Sequence, residues 1–196
     1  MTGKHEITRA DVLLLEEYEK IRHQRRQDVS AIKKNRRVSV GPYATFYFEN
    51  YDTMWWQVHE MLYIEKGGED QIADELAAYN PLIPKGNELV ATLMFEIENP
   101  DRRARFLARL GGVEKAVTLH VGSEKISAVP EADVERSTEG GKASSVHFLH
   151  FPFTPSAIAA FRDPETEVIL GIRHDGYAHM ASIPDNVHAA LMQDFD

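Results

Sequence analysis

The feature that most constrains the fold of this chain is a self-similarity at a spacing of 54 to 55 residues in its C-terminal half. Leu93 to Pro100 reads as a strand stopped by a Pro-initiated helix, and Phe148 to Pro155 reads the same way. Each helix then feeds a hairpin. The first runs from Val117 to Val129 around Gly122-Ser123 and is followed by Pro130; the second runs from Ile169 to Ile183 around Asp175-Gly176 and is followed by Pro184. The registers pair Pro100 with Pro155, Phe106 with Phe161, His120 with His174, Gly122 with Gly176 and Pro130 with Pro184. A unit of this size cannot bury its apolar face alone, and its twin is the obvious partner. The expected fold is therefore α+β, a mostly antiparallel sheet from two repeated β-α-β-hairpin units over residues 89–196. A helical part with a short β-hairpin, residues 1–88, should pack against it as one compact unit.

In that N-terminal part, Thr8 to Asp11 has the pattern of a capped helix start. Tyr18, Ile21, Arg25, Val29 and Ile32 then fall on one helical face. Val38 to Val40 and Thr45 to Phe48 read as two strands around Gly41-Pro42-Tyr43. Asn50 or Asp52 is placed to cap a helix that runs to Glu65 and stops at Gly67-Gly68. Its apolar face is Tyr51, Met54, Trp55, Val58, Met61 and Leu62, with a second cluster of Trp56, His59, Glu60 and Tyr63 at the same spacing. A helix aromatic on two sides is buried on both or lines a pocket or interface with one. A short helix over 70–79 follows, then a loop with Pro81, Pro84 and Gly86; a last helix covers 185–194. The polar stretch Glu135 to Ser144 is expected to be a mobile surface loop joining the two units.

Composition narrows the chemistry. With no cysteine among 196 residues, disulfides, thiol catalysis and protein-thiolate metal sites are excluded. No membrane span or secretory signal is legible, so a cytoplasmic protein is expected. Eight basic residues and one acid lie between Lys20 and Arg37, which makes that segment +7 inside a chain of net charge −9. Such asymmetry suits phosphate, nucleic acid or an acidic partner, although an acidic whole and the lack of base-stacking aromatics in the segment disfavour nucleic acid.

Candidate sites follow from residue type. Glu49, Glu60 and His59 sit among aromatics, where a carboxylate would have a raised pKa and could act as a general acid or base; capping a helix or answering a buried Arg is the structural alternative. Trp56, Tyr63, Arg36 and Arg37 are candidates for binding. Nine histidines invite a divalent metal, with His120, His147, His174 and His179 as candidate ligands. A two-residue loop at Asp175-Gly176 would pair Ile172 with His179 and His174 with Tyr177, bringing both hairpin histidines to one face. His147 and His150, three apart in one strand, must face opposite ways. No phosphate loop, zinc-protease pair or nucleophile elbow is present.

Leu15 to Glu19, Arg36-Arg37-Val38, Phe48-Glu49-Asn50, Glu60-Met61-Leu62, Asp74 to Leu82 and Val146 to Leu149 together carry a resemblance over nearly the whole length. The chain resembles a bacterial family, domain of unknown function 3501. The resemblance implies no established activity; it does imply genes often encoded beside a rubrerythrin and an iron–sulfur oxidoreductase, hence a link to oxidative stress and iron redox chemistry. Surfaces are more evident than chemistry in these residues, so a non-catalytic accessory or adaptor protein for such a redox pair is the leading expectation. A metal-dependent or acid/base enzyme on a small molecule is the alternative, and nucleic-acid or phosphate binding through residues 20–37 the second.

Overall fold

The computed structural model describes residues 4–131 and 142–196. Its helices are α1 (Leu15–Lys34), α2 (Tyr51–Glu65), α3 (Glu69–Tyr79), α4 (Pro100–Leu107), α5 (Pro155–Phe161) and α6 (Asp185–Leu191). The strands are β1 (Arg37–Val40), β2 (Ala44–Phe48), β3 (Glu88–Phe95), β4 (Val117–Val121), β5 (Glu124–Ser127), β6 (Val129–Pro130), β7 (Val146–Pro152), β8 (Val168–His174) and β9 (Tyr177–Ser182). This is an α+β fold. Its antiparallel strands divide between two sheets rather than one, in the orders β1-β2-β3-β7-β6 and β5-β4-β8-β9.

Alternation of side chains explains the layering. Phe46, Phe48, Leu89, Ala91, Leu93, Phe95, Leu149 and Phe151 point from the first sheet into a core shared with Val117, Leu119, Val121, Val168, Leu170 and Ile172 of the second. The opposite face of the first sheet supplies Val90 and Phe148 to a second cluster with Tyr18, Trp55, Val58, Leu62 and Ile72. Helices α1, α2 and α3 therefore cover one side of the five-stranded sheet, and the four-stranded sheet covers the other.

The N-terminal helix starts later than its capping pattern implies. Thr8 and Asp11 close a capping box around a single turn, Arg9–Asp11, and the chain then extends before α1 begins at Leu15. Tertiary contacts hold it extended: Ile7 and Val12 are buried, the Trp55 indole donates to the Asp11 carbonyl at 2.9 Å, and the Leu13 N–H donates to His59 at 3.0 Å. Local capping is satisfied within one turn, and α2 takes the next residues.

The element order strand, helix, strand, strand occurs twice. Pro100 and Pro155 are each the first residue of a helix, capped by the Asn99 and Thr154 side chains. First strands pair with each other, β3 with β7, and so do the leading hairpin strands β4 and β8. The spacing is not constant. Inward-facing Phe95 and Phe151 are 56 apart, the helix prolines 55, and the turn residues Gly122 and Asp175 only 53. Equivalence of His120 with His174 therefore fails. His174 stands in the last pair before its turn, opposite Tyr177, whereas His120 is one pair removed, opposite Lys125, and faces out of the core. A one-residue slip in a strand exchanges its faces. Glu135 to Gly141 of the expected joining loop lie outside the described residues.

Candidate functional site

The seam between α1 and α2 gathers most of the acid/base and aromatic candidates. Glu60 accepts from the Tyr18 hydroxyl at 2.7 Å and from Arg22 in a bidentate fork, Nε at 2.7 Å and the terminal nitrogen at 2.8 Å. The Arg22 guanidinium holds the Glu60 carboxyl below its usual range, which outweighs burial; the raised value expected among aromatics does not occur. Glu60 in turn helps raise the Tyr18 hydroxyl, after burial itself. His59 is fixed as the neutral tautomer: Nδ1–H donates to the Trp55 carbonyl at 2.7 Å and Nε2 accepts from Leu13 N–H. Burial lowers its pKa. Neither group is poised to move a proton to a ligand.

Half of the cations of the basic segment are turned onto their own protein. Besides Arg22, which also stacks 4.4 Å from the Tyr63 ring, Arg25 lies over Trp55 at 4.5 Å and pairs with Asp52 at 3.6 Å. Lys33 sits over Trp56 at 5.0 Å, and the Tyr63 hydroxyl donates to Glu19. Lys20, Arg26, Lys34 and Arg37 remain exposed. Sequence periodicity does not reveal which cations stack, because α1 presents its cations on both sides of a thin apolar stripe. The buried Trp56 ring nitrogen has no hydrogen-bond partner among the described residues.

Arg36 leaves this group altogether. It is buried, donates through Nε to the Phe48 carbonyl at 3.0 Å and through its terminal nitrogens to the Glu49 and Ala190 carbonyls, and pairs with Asp194. Burial raises the Asp194 carboxyl in spite of that guanidinium. The pair lines a polar cleft of about 430 Å³ with Lys4, His5, Asn50 and Asp196. Glu49, also buried, accepts from the hydroxyls of Thr53 and Thr92 at 2.7 Å each. It serves the start of α2 and ties it to β3, far in bonding terms from Glu60.

The histidine candidates disperse. His147 is fully buried, its Nε2 bonded to the Ser144 carbonyl at 2.9 Å and its Nδ1 3.8 Å from Glu114. His174 and His179 take the expected hairpin register, but His174 donates to the Gly111 carbonyl and accepts from Gly176 N–H. His179 is exposed and packs on Tyr177 with ring centres 4.5 Å apart. Half-buried His120 faces the other side of the sheet. Among the described residues, no group of three or more His, Asp or Glu converges in a way that could hold a metal ion.

Two features escaped the sequence. His150 bridges two carboxylates, Glu88 at 2.9 Å from Nδ1 and Glu131 at 2.8 Å from Nε2. Glu88 is 62 residues away, so only the β3–β7 register could have disclosed it. An apolar groove of about 370 Å³ opens where the extended segment, α2 and α3 meet, lined by Leu13, Leu14, Leu15, Leu62 and Ile72. Leu14 is 61% and Leu15 37% exposed. The run Leu13-Leu14-Leu15 is the available signal, and the helix-start pattern at Thr8 to Asp11 just before it hides its extended form.

Fold and side-chain chemistry together define an α+β protein of two facing antiparallel sheets, with a helical layer whose polar candidates are held in internal bonds. The model of the family Protein of unknown function (DUF3501) matches residues 6–195, and the chain belongs to that family. It is similar to a crystal structure of a novel protein of unknown function from Burkholderia pseudomallei K96243, with 41% identity, full coverage of both chains and a TM-score of 0.90. None of the curated proteins matches. No described helix is long and apolar enough to cross a membrane.

Proposed function

We propose that this protein is a non-catalytic accessory protein that docks a partner through the groove of Leu13, Leu14, Leu15, Leu62 and Ile72. The observation that carries the reading is the exposure of Leu14 and Leu15 at the mouth of an apolar groove. Leaving large aliphatic side chains in water forgoes about 1.5 to 3 kcal/mol each relative to burial, and a partner supplies that burial. The acid/base candidates favour no enzyme reading, since Glu49, His59 and Glu60 are spent on internal hydrogen bonds. The partner class is the one the family resemblance implies, a rubrerythrin or an iron–sulfur oxidoreductase, which would place the protein in oxidative-stress or iron redox chemistry.

The test is titration calorimetry of the purified protein against a rubrerythrin and an iron–sulfur oxidoreductase encoded beside it. Leu14→Asp with Leu15→Asp puts charge at the groove mouth, and Asp is a preferred residue at the cap position that Leu14 occupies, so the fold is spared. Wild-type association that is weakened about a hundredfold in the variant, with little dependence on salt, is the expected result. No association with either protein, or equal affinity of variant and wild type, would overturn the proposal.

A further inference from the structure

The short edge strand β6 is joined to the five-stranded sheet by a brief ladder and by one chain of side-chain contacts. It comprises two residues, Val129 and Pro130, paired with His150 and Leu149 of β7. Pro130 has no N–H to give to the ladder. Val129 is 51% exposed and contributes little burial. The next residue, Glu131, donates its N–H to the Phe148 carbonyl at 3.0 Å, and its carboxylate meets His150.

A neutral imidazole carries one N–H, so it can donate to one carboxylate only. His150 has a carboxylate oxygen within 3 Å of each ring nitrogen, Glu88 on one side and Glu131 on the other. Both contacts are attractive only when the ring is protonated at both nitrogens. Once one proton leaves, a nitrogen lone pair faces a carboxylate, and one of the two contacts becomes repulsive. We infer that Glu88, His150 and Glu131 form a pH-sensitive clasp, in which the imidazolium fastens β6 to the five-stranded sheet and its deprotonation loosens that edge.

Among the described residues, the charges acting on the ring come from the two elements beside it, Glu88 from β3 and Glu131 from the end of β6; both favour the cation, against burial. His150 therefore titrates above its ordinary value, led by the Glu88 bond. For a histidine with a raised folded pKa, the stabilisation is fully present below the unfolded value of about 6.5 and is lost as pH climbs through the folded value. Loosening belongs to the alkaline side. Loosening would uncover the β7 edge beside Val129 and Pro130, at His150 and Leu149, where another strand could then pair.

The experiment is NMR on the full chain. Ring resonances of His150 give its titration midpoint, and exchange of the Glu131 amide, corrected for the intrinsic pH dependence, reports β6. In the wild type, the midpoint should lie above 6.5 and protection of Glu131 should fall about fivefold across it, the upper end for a surface ion pair, as suits side chains only 18% and 24% exposed. Glu131→Gln, a half-buried substitution at the end of the sheet, should lower the midpoint and flatten the protection profile while the other amide signals persist. A midpoint at or below 6.5, or unchanged Glu131 protection on both sides of it, would overturn the inference. So would a Glu131→Gln variant with the wild-type profile.

Discussion

Replacement of Arg36 by Met tests whether the C-terminal segment is fastened to the first sheet by a buried ion pair. Arg36 is 4% exposed and holds three backbone carbonyls and Asp194, so the variant leaves a buried carboxylate without its counter-charge and three carbonyls without a donor. Removing one partner of a buried pair costs about 3 to 5 kcal/mol. The sign of its pH dependence follows from Asp194. Burial already raises its folded pKa above the unfolded value, so the favourable contribution of the protonated form is present below about 3.9 and lost as pH rises through the folded value. Loss of Arg36 takes away the group that opposes this rise, and Asp194 will keep its proton to higher pH. The deficit relative to wild type should be larger at pH 7 than at pH 5, because Asp194 in the variant takes up its proton more readily than in the wild type as the pH falls. Urea unfolding followed by circular dichroism at both pH values measures it. The double variant with Asp194→Asn should show a smaller deficit, with little dependence on pH. An Arg36→Met deficit that is equal at the two pH values would show that Asp194 is not the group left stranded, and a loss under about 1 kcal/mol would refute burial of the pair altogether.

Trp55→Ala should destabilise by about 3 to 5 kcal/mol, because the ring is buried and its nitrogen bonds the Asp11 carbonyl, and Trp56→Ala by less; denaturant titration of both decides. Tyr177→Phe should cost about 1 to 3 kcal/mol in the same assay, since the hydroxyl donates to Val40 O and accepts from Tyr43 and Ala44 N–H, and the loss strands buried groups at the β1–β2 turn. Joint replacement of Arg22, Arg26, Lys33 and Lys34 by Gln should lower the melting temperature, with Arg22→Gln alone giving most of the effect. An unchanged melting temperature would mean that the Glu60 fork and the Trp56 stacking contribute nothing.

Helices with a wide apolar face and strands with strict alternation were legible. The α2 helix from Tyr51 to Glu65, with its Asn50 cap, and the hairpin register of Ile172 with His179 depend on local chemistry that the sequence displays. Where the answer depends on which long-range neighbour competes for a residue, local pattern fails. The Thr8 box looks like the start of a long helix, yet Trp55 and His59 claim the backbone at Asp11 and Leu13. Glu60 looks like a carboxylate with a raised pKa until Arg22, 38 residues away, is brought onto it. The two sheets were read as one because a strand's alternation states that one face is buried, and not which neighbour it pairs with.

The strand-helix-strand-strand order that occurs twice helps explain where the candidate surfaces lie. Pairing β3 with β7 and β4 with β8 places the apolar faces of both segments in one core, which Val38, Val40, Phe46 and Phe48 of the N-terminal hairpin complete. The N-terminal part has no such counterpart. Its hairpin extends one sheet beyond β3, and its helices cover the far face of that sheet. Three helices laid on a sheet do not seal every margin here, because the extended stretch Val12 to Leu14 interrupts the helical layer where α2 joins α3. The groove opens at that interruption, with Leu14 and Leu15 on its rim. The His150 clasp has the same origin. The chain leaves the first hairpin and crosses to the other sheet as β6, adding an edge that the second hairpin, which is followed by α6 instead, does not supply. Both features sit outside the strand-helix-strand-strand order that occurs twice, the groove in the N-terminal part and the clasp at the added edge strand.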